Sequence, residues 1–287
     1  MSFADDYIVN PLKYSLSNIK ALLIFTALGF IPLVLLLVIV LTTGISILSK
    51  YGSDMGSMTP ETTFSLIMAL GIGFIIWLVI SILISLATNG YIVKLIKTSI
   101  AGEQVLPNWE KWGDLLSKGL ILTIGSIIMS LIFLAIHTLV SMPFNYLEIP
   151  VIAGILTTII NIFQMLYIPL AVSNYSYTEE FTAFFKVKEI CKMMSLKWLA
   201  ILIVVSIISL IVLIPTFLLG MGFILSLVGG SFEMGAIVGI ITVLVASLSY
   251  SIISFYAYRC YATYYKSVIT DSFDTVIIEE EITEDFE

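Results

Sequence analysis

The chain alternates between long apolar runs and short polar connections. A bilayer-spanning helix needs about 20 apolar residues. Six segments supply them: Ala21–Leu48, Phe64–Leu86, Leu120–Met142, Ile149–Ser173, Trp198–Gly220 and Ala236–Tyr258. No Asp, Glu, Lys or Arg falls inside any of the six. The pattern predicts an all-α fold, an integral membrane helical bundle of six transmembrane helices. Pro32, Pro169 and Pro215 lie inside spans, where neighbouring helices can satisfy the carbonyls that proline frees. Apolar residues continue past the fifth span through 221–228, which reads as a re-entrant or interfacial turn.

The polar connections set the threading. Lys13 and Lys20 precede span one; Lys94, Lys97, Lys111 and Lys118 lie between spans two and three. Lys186, Lys188, Lys192 and Lys197 lie between spans four and five, and Arg259 and Lys266 follow span six. Only Lys50 falls on the other side. Cytoplasmic loops carry the excess of bases, so this pattern predicts a multi-pass protein of the cell membrane with both termini cytoplasmic. The sequon Asn174-Tyr175-Ser176 then lies on the cytoplasmic side, where it stays unglycosylated.

The loop Asn89–Gly119 interrupts the apolar chain with four lysines, three acids and two tryptophans. Leu106-Pro107-Asn108 reads as a helix start with Asn108 as cap. Trp109, Trp112, Leu115 and Leu116 follow at helical spacing. Tryptophans and lysines at such a boundary anchor an interfacial amphipathic helix. The face formed by Trp109, Trp112, Lys94, Lys97 and Lys118 bears two readings, a depth anchor in the bilayer or a docking surface for a membrane or cytosolic partner. Pro11–Lys20 and Glu179–Lys197 lead into spans one and five in the same way. The layout predicts three units, each an interfacial helix followed by a hairpin of two spans.

The residues Gly90, Tyr91, Gly102, Glu103, Leu106, Pro107, Trp109, Trp112, Gly119 and Leu120 resemble the signature of the domain-of-unknown-function family 4013, found largely in methanogenic archaea. That signature is a Gly-Tyr leaving span two, a short basic helix, G-E-x-x-L-P-x-W-x-x-W and a closing Gly-Leu. Ala183 and Lys186 are similar to an Ala-x-x-Lys pattern before span five of other six-span families. One of these is the membrane domain attached to some glycerophosphodiester phosphodiesterases. The resemblance implies a membrane module and carries no activity to transfer.

Composition agrees with the hydropathy. The chain is 59% hydrophobic and 11% charged, where soluble domains run at about a quarter charged. The net charge of −7 comes largely from the acidic segment after Thr270. The expected organisation is a six-span domain over 1–270 and a disordered cytoplasmic tail over 271–287. The first apolar run exceeds a signal-peptide core and reads as a retained helix. No basic tract suits nucleic acid. Cys191 and Cys260 imply neither a disulfide framework nor a metal site.

Candidate chemistry inside the bundle is sparse. Thr157, Asn161 and Gln164 form one polar face of span four, and His137 is the one histidine. With the hairpin turn placed between Met142 and Ile149, Asn161 lies level with Ser130. These residues line a polar path or bond between packed helices. Gly235 and Gly239 form a small-residue step at the start of span six, read as an internal packing seam. No catalytic residue, cofactor or metal site emerges. No nucleotide-binding loop, H-E-x-x-H or G-x-S-x-G occurs. The reading is a non-enzymatic membrane-organising or accessory subunit. The alternative is a channel, permease or lipid-handling transporter with an uncharged path. The lipid bilayer is the expected partner, and the oligomeric state stays open.

Overall fold

The computed structural model describes residues 2–51 and 60–284. The fold is all-α, and the described residues form no strand. A π-helical turn at Asp5–Val9 leads into α1 (Asn10–Ser15) and then α2 (Ile19–Tyr51) and α3 (Pro60–Ala101). α4 (Trp112–Tyr146) and α5 (Pro150–Thr178) follow. A 3-10 turn at Phe181–Phe185 and α6 (Val187–Met193) lead into α7 (Leu196–Val228) and α8 (Phe232–Glu284). Six helices are long and apolar enough to cross a membrane. They pair in sequence as hairpins α2/α3, α4/α5 and α7/α8, with α8 also packed along α2 and α3.

The helices outrun the expected spans. At 1.5 Å per residue α3 is about 63 Å long, twice the ~30 Å hydrocarbon thickness. No separate basic helix follows span two, because α3 continues unbroken to Ala101. Residues 221–228 are neither re-entrant nor an interfacial turn. α7 carries on over Pro215 to Val228, and Gly230, at φ +75°, makes the turn into α8. α8 likewise continues through 271–284 instead of ending at the tail, with no glycine or proline after Gly239 to stop it.

The interfacial helices also differ from expectation. Helical segments precede spans one and five, but 102–111 is not helical and α4 begins only at Trp112. Asn108 does not cap it: its carbonyl accepts from Lys94 Nζ at 2.8 Å and its side chain from Asn18 Nδ2 at 3.0 Å. The three units are therefore alike as hairpins and unlike in their lead-ins.

Packing is concentrated at one end of the bundle, here called the base. The buried core gathers Tyr7, Phe25, Tyr91, Tyr167, Trp198 and Phe255, with α1, the 102–111 loop and α6 folded over it. Hydrogen bonds and ring contacts between different hairpins occur here, as between Thr26 and Ser251, Asn89 and Thr123, and Asn174 and Tyr265. Farther out, the described bonds join two helices of one hairpin. Trp77 Nε1 donates to the Pro32 carbonyl at 2.8 Å, and Thr216 meets Ser249 at 3.2 Å. Leu139, Leu210 and Phe217 are more than two-thirds or about two-thirds exposed there. Such surface suits hydrocarbon rather than water.

Candidate functional site

The base is built around the loop 102–111. α3 and α4 reach it by an unusually close crossing. A Cβ on Gly90 would lie 1.8 Å from the Leu115 carbonyl oxygen, and one on Gly119 would lie 1.8 Å from that of Leu86. Only glycine allows backbones so near. Tyr91, fully buried, then donates its hydroxyl to the Pro107 carbonyl at 2.8 Å. Its ring stacks on Trp109, centroids 4.3 Å apart and planes 6° from parallel. Trp109 Nε1 donates to the Ala21 carbonyl of α2 at 3.1 Å. The Leu106 N–H donates to Ser17 Oγ at 2.9 Å, and the Leu106 carbonyl accepts from Asn18 Nδ2 at 3.2 Å. The signature residues thus fill the interior and tie α2, α3 and α4 together.

Arg259, the one arginine in the chain, clamps the same loop from α8. It is 6% exposed, with its guanidinium 4.4 Å from the Tyr14 ring centroid. Nη1 donates to the Glu103 carbonyl at 2.7 Å and Nη2 to Gln104 Oε1 at 3.1 Å. A weaker contact from Nη1 reaches the Ser99 carbonyl at 3.5 Å. A cation at the C-terminal end of α3 complements the helix dipole there. Gly102, at φ +96°, makes the turn that leaves α3.

The expected face of Trp109, Trp112, Lys94, Lys97 and Lys118 is divided. Trp109 is part-buried, while Trp112 is 47% exposed at the first residue of α4. Lys94 is spent on the Asn108 carbonyl. Lys97 and Lys118 both reach Glu179 Oε1 at 2.8 Å, joining α3, α4 and the end of α5. Those two hydrogen bonds, from Lys118 first and Lys97 second, hold the Glu179 carboxyl below its usual range. Burial pushes the Tyr7 phenol up to about 12.

The polar face of α5 is rearranged relative to expectation. Asn161 Oδ1 lies 2.9 Å from His137 Nε2, and Ser130 bonds the Ser126 carbonyl of its own helix. The reason is the turn. α4 runs through Pro143 to Tyr146 and α5 starts at Pro150, so the register shifts two turns toward the turn. Thr157 bonds back to the Gly154 carbonyl. Gln164 is half-buried and makes no side-chain hydrogen bond among the described residues. Gly235 and Gly239 are buried, and a Cβ on Gly239 would lie 2.9 Å from the Phe223 ring of α7.

Several residues of the base escaped the sequence reading. By composition the run of tyrosines at the end of span six matches an interfacial aromatic belt. Instead Tyr256 donates to the Tyr7 carbonyl at 2.7 Å and Tyr265 to Asn174 Oδ1 at 2.8 Å. Asn174, the sequon residue, is 3% exposed and donates to the Ala183 carbonyl at 3.0 Å. The one available signal was Arg259, a lone arginine beside a dense run of tyrosines. Among the described residues no three His, Cys, Asp or Glu side chains gather as a metal site would need.

This is an all-α bundle whose six apolar helices suggest a membrane protein, closed at one end by a hydrogen-bonded aromatic base. The family described as "Protein of unknown function (DUF4013)" matches residues 73–221, from α3 into α7, and the chain belongs to it. It is 28% identical to "Uncharacterized protein MJ0233" of the archaeon Methanocaldococcus jannaschii over 93% of this chain and 98% of that protein. It is 33% identical to "Uncharacterized protein MJ1189" of the same organism over 52% of this chain. That second match spans about half of the relative, 53% of its length. No solved structure matches this chain.

Proposed function

We propose that this is a non-enzymatic, multi-pass protein of the cell membrane that organises the bilayer or serves as an accessory subunit of a larger assembly. Both termini and the base face the cytoplasm, as the distribution of lysines supports. α1, α6 and the exposed Trp112 lie at the headgroup level, where amphipathic segments and tryptophan are favoured.

The observation that carries this reading is the contrast between the two ends. The signature loop and the glycine crossing serve to lock three hairpins at the base. The outer halves keep wide apolar flanks that lipid or the helices of another protein would cover. The test is mass spectrometry of the tagged chain extracted in mild detergent. A stoichiometric co-purifying protein supports the accessory-subunit reading; a lone chain retaining one solute or lipid overturns it.

A second reading, an uncharged-path channel, permease or lipid-handling transporter, is favoured by one observation. His137, Asn161 and the unbonded Gln164 lie along the α4/α5 hairpin, where the other polar side chains named, Ser130 and Thr157, bond carbonyls of their own helices. Flux that Asn161→Leu abolishes in reconstituted vesicles supports it.

A further inference from the structure

We propose that the cleft between α1, the turn after α3 and α8 binds a phosphate-bearing anion, held by Lys266 and Arg259. The site goes beyond the accessory reading and holds whether or not a protein partner exists. The cleft has a volume of ≈ 350 Å³ and is lined by Asn10, Gln104, Arg259, Lys266 and Asp6, among others. Among the described residues, neither Arg259 nor Lys266 has a carboxylate within 4 Å. A guanidinium has five N–H donors, and three contacts to acceptors are described for Arg259. The Asn10 side chain makes no hydrogen bond among the described residues. The cleft therefore offers two cations and spare donors against one carboxylate, Asp6.

The turn shapes the site. Lys266 Nζ lies 3.2 Å from where a Cβ on Gly102 would be, so the bare glycine admits the ammonium to the wall of the cleft. Lys266 also lines a second cavity of ≈ 370 Å³, together with Lys97, Ile100, Tyr177 and Ile269. A lysine between a polar cleft and an apolar-walled one suits a phosphate that carries a hydrocarbon chain. Free phosphate is the other source of the same chemistry. Either anion would gain charge-assisted hydrogen bonds from a guanidinium that is already largely desolvated.

The experiment uses the full chain and reads its Tm. Inorganic phosphate is titrated into the detergent-solubilised protein, and the protein is separately reconstituted in phosphatidylcholine with or without phosphatidic acid. The expected result is a rise in Tm on adding the anion. The midpoint should be about tenfold weaker in Lys266→Ala, the loss of one charge-assisted bond, and tighter in Asp6→Asn. Lys266 is exposed and forms no ion pair among the described residues, so its alanine variant keeps the fold where Arg259 variants would lose the loop clamp. A response to inorganic phosphate identifies a soluble ligand; a response confined to phosphatidic acid identifies a lipid headgroup. A wild type unmoved by both probes, or a Lys266→Ala response equal to wild type, overturns the site.

Discussion

Trp109 lies face to face with Tyr91, 4.3 Å between centroids, and its indole nitrogen reaches across to the Ala21 carbonyl. One side chain thereby joins the loop to both helices of the first hairpin. Its neighbour in sequence spacing, Trp112, is half-exposed. The two tryptophans of one motif therefore do different work. Trp109→Ala should cost about 3 kcal/mol or more, as large-to-small core changes do. Trp112→Ala should stay within about 1 kcal/mol. Thermal unfolding of both variants in detergent checks this, and equal losses would contradict it.

The glycine crossing makes a sharper case. Gly90→Ala and Gly119→Ala place a methyl group against backbone, which cannot move aside as a side chain can. Both variants should fail to fold or lose several kcal/mol, about 3 or more. Gly113 has nothing within 4 Å of its Cβ position, and at a helix start Gly113→Ala should be neutral or stabilising by up to about 1 kcal/mol. Yields of monodisperse protein after size exclusion separate the three.

Glu179 links pH to the junction of α3, α4 and α5. Its carboxyl is held below the ordinary range by Lys118 and Lys97. A depressed carboxylate contributes stability that is fully present above its unfolded value, about 4.3, and is lost as the pH falls through the folded value. Glu179→Gln should flatten that acid limb. Since the side chain is 35% exposed, solvent screening limits the loss at neutral pH to about 1 kcal/mol. Tm against pH for wild type and variant is the measurement.

Asn161 and His137 bond across the α4/α5 hairpin. Asn161→Leu should lower stability by about 0.6–2 kcal/mol, the range for such bonds between membrane helices. His137→Ala combined with Asn161→Leu should cost little more than either alone, because one bond is lost once. A double-mutant cycle by thermal unfolding tests the pairing, and additive losses would rule it out.

Much of the fold is legible from the chain. Runs of apolar residues near 20 long can satisfy their backbone in hydrocarbon only as helices, so the all-α class and the six apolar helices follow from hydropathy alone. The close approach at Gly90 and Gly119 was not legible: both glycines stood out in the signature, but only the structure shows α3 and α4 crossing there. What hydropathy could not reveal was where helices stop. Pro143 marked an end that the helix ran through, which moved His137 opposite Asn161 and left Ser130 bonded within α4. Helical spacing at Trp109 and Trp112 was real, yet Asn108 and Trp109 made better bonds outside a helix.

The base belongs to tertiary structure. The tyrosines of α8 have the composition of an interfacial belt, and only packing shows their hydroxyls bonded to Tyr7 and Asn174. Arg259 and the turn at 102–104 are more than 150 residues apart in the chain, and no periodicity links them. Local sequence determined the helices because backbone hydrogen bonds in a helix close within four residues. The meeting of Arg259, Lys266 and Gly102 depended on which ends of α1, α3 and α8 the fold gathered, and that was decided by burial summed over the whole base.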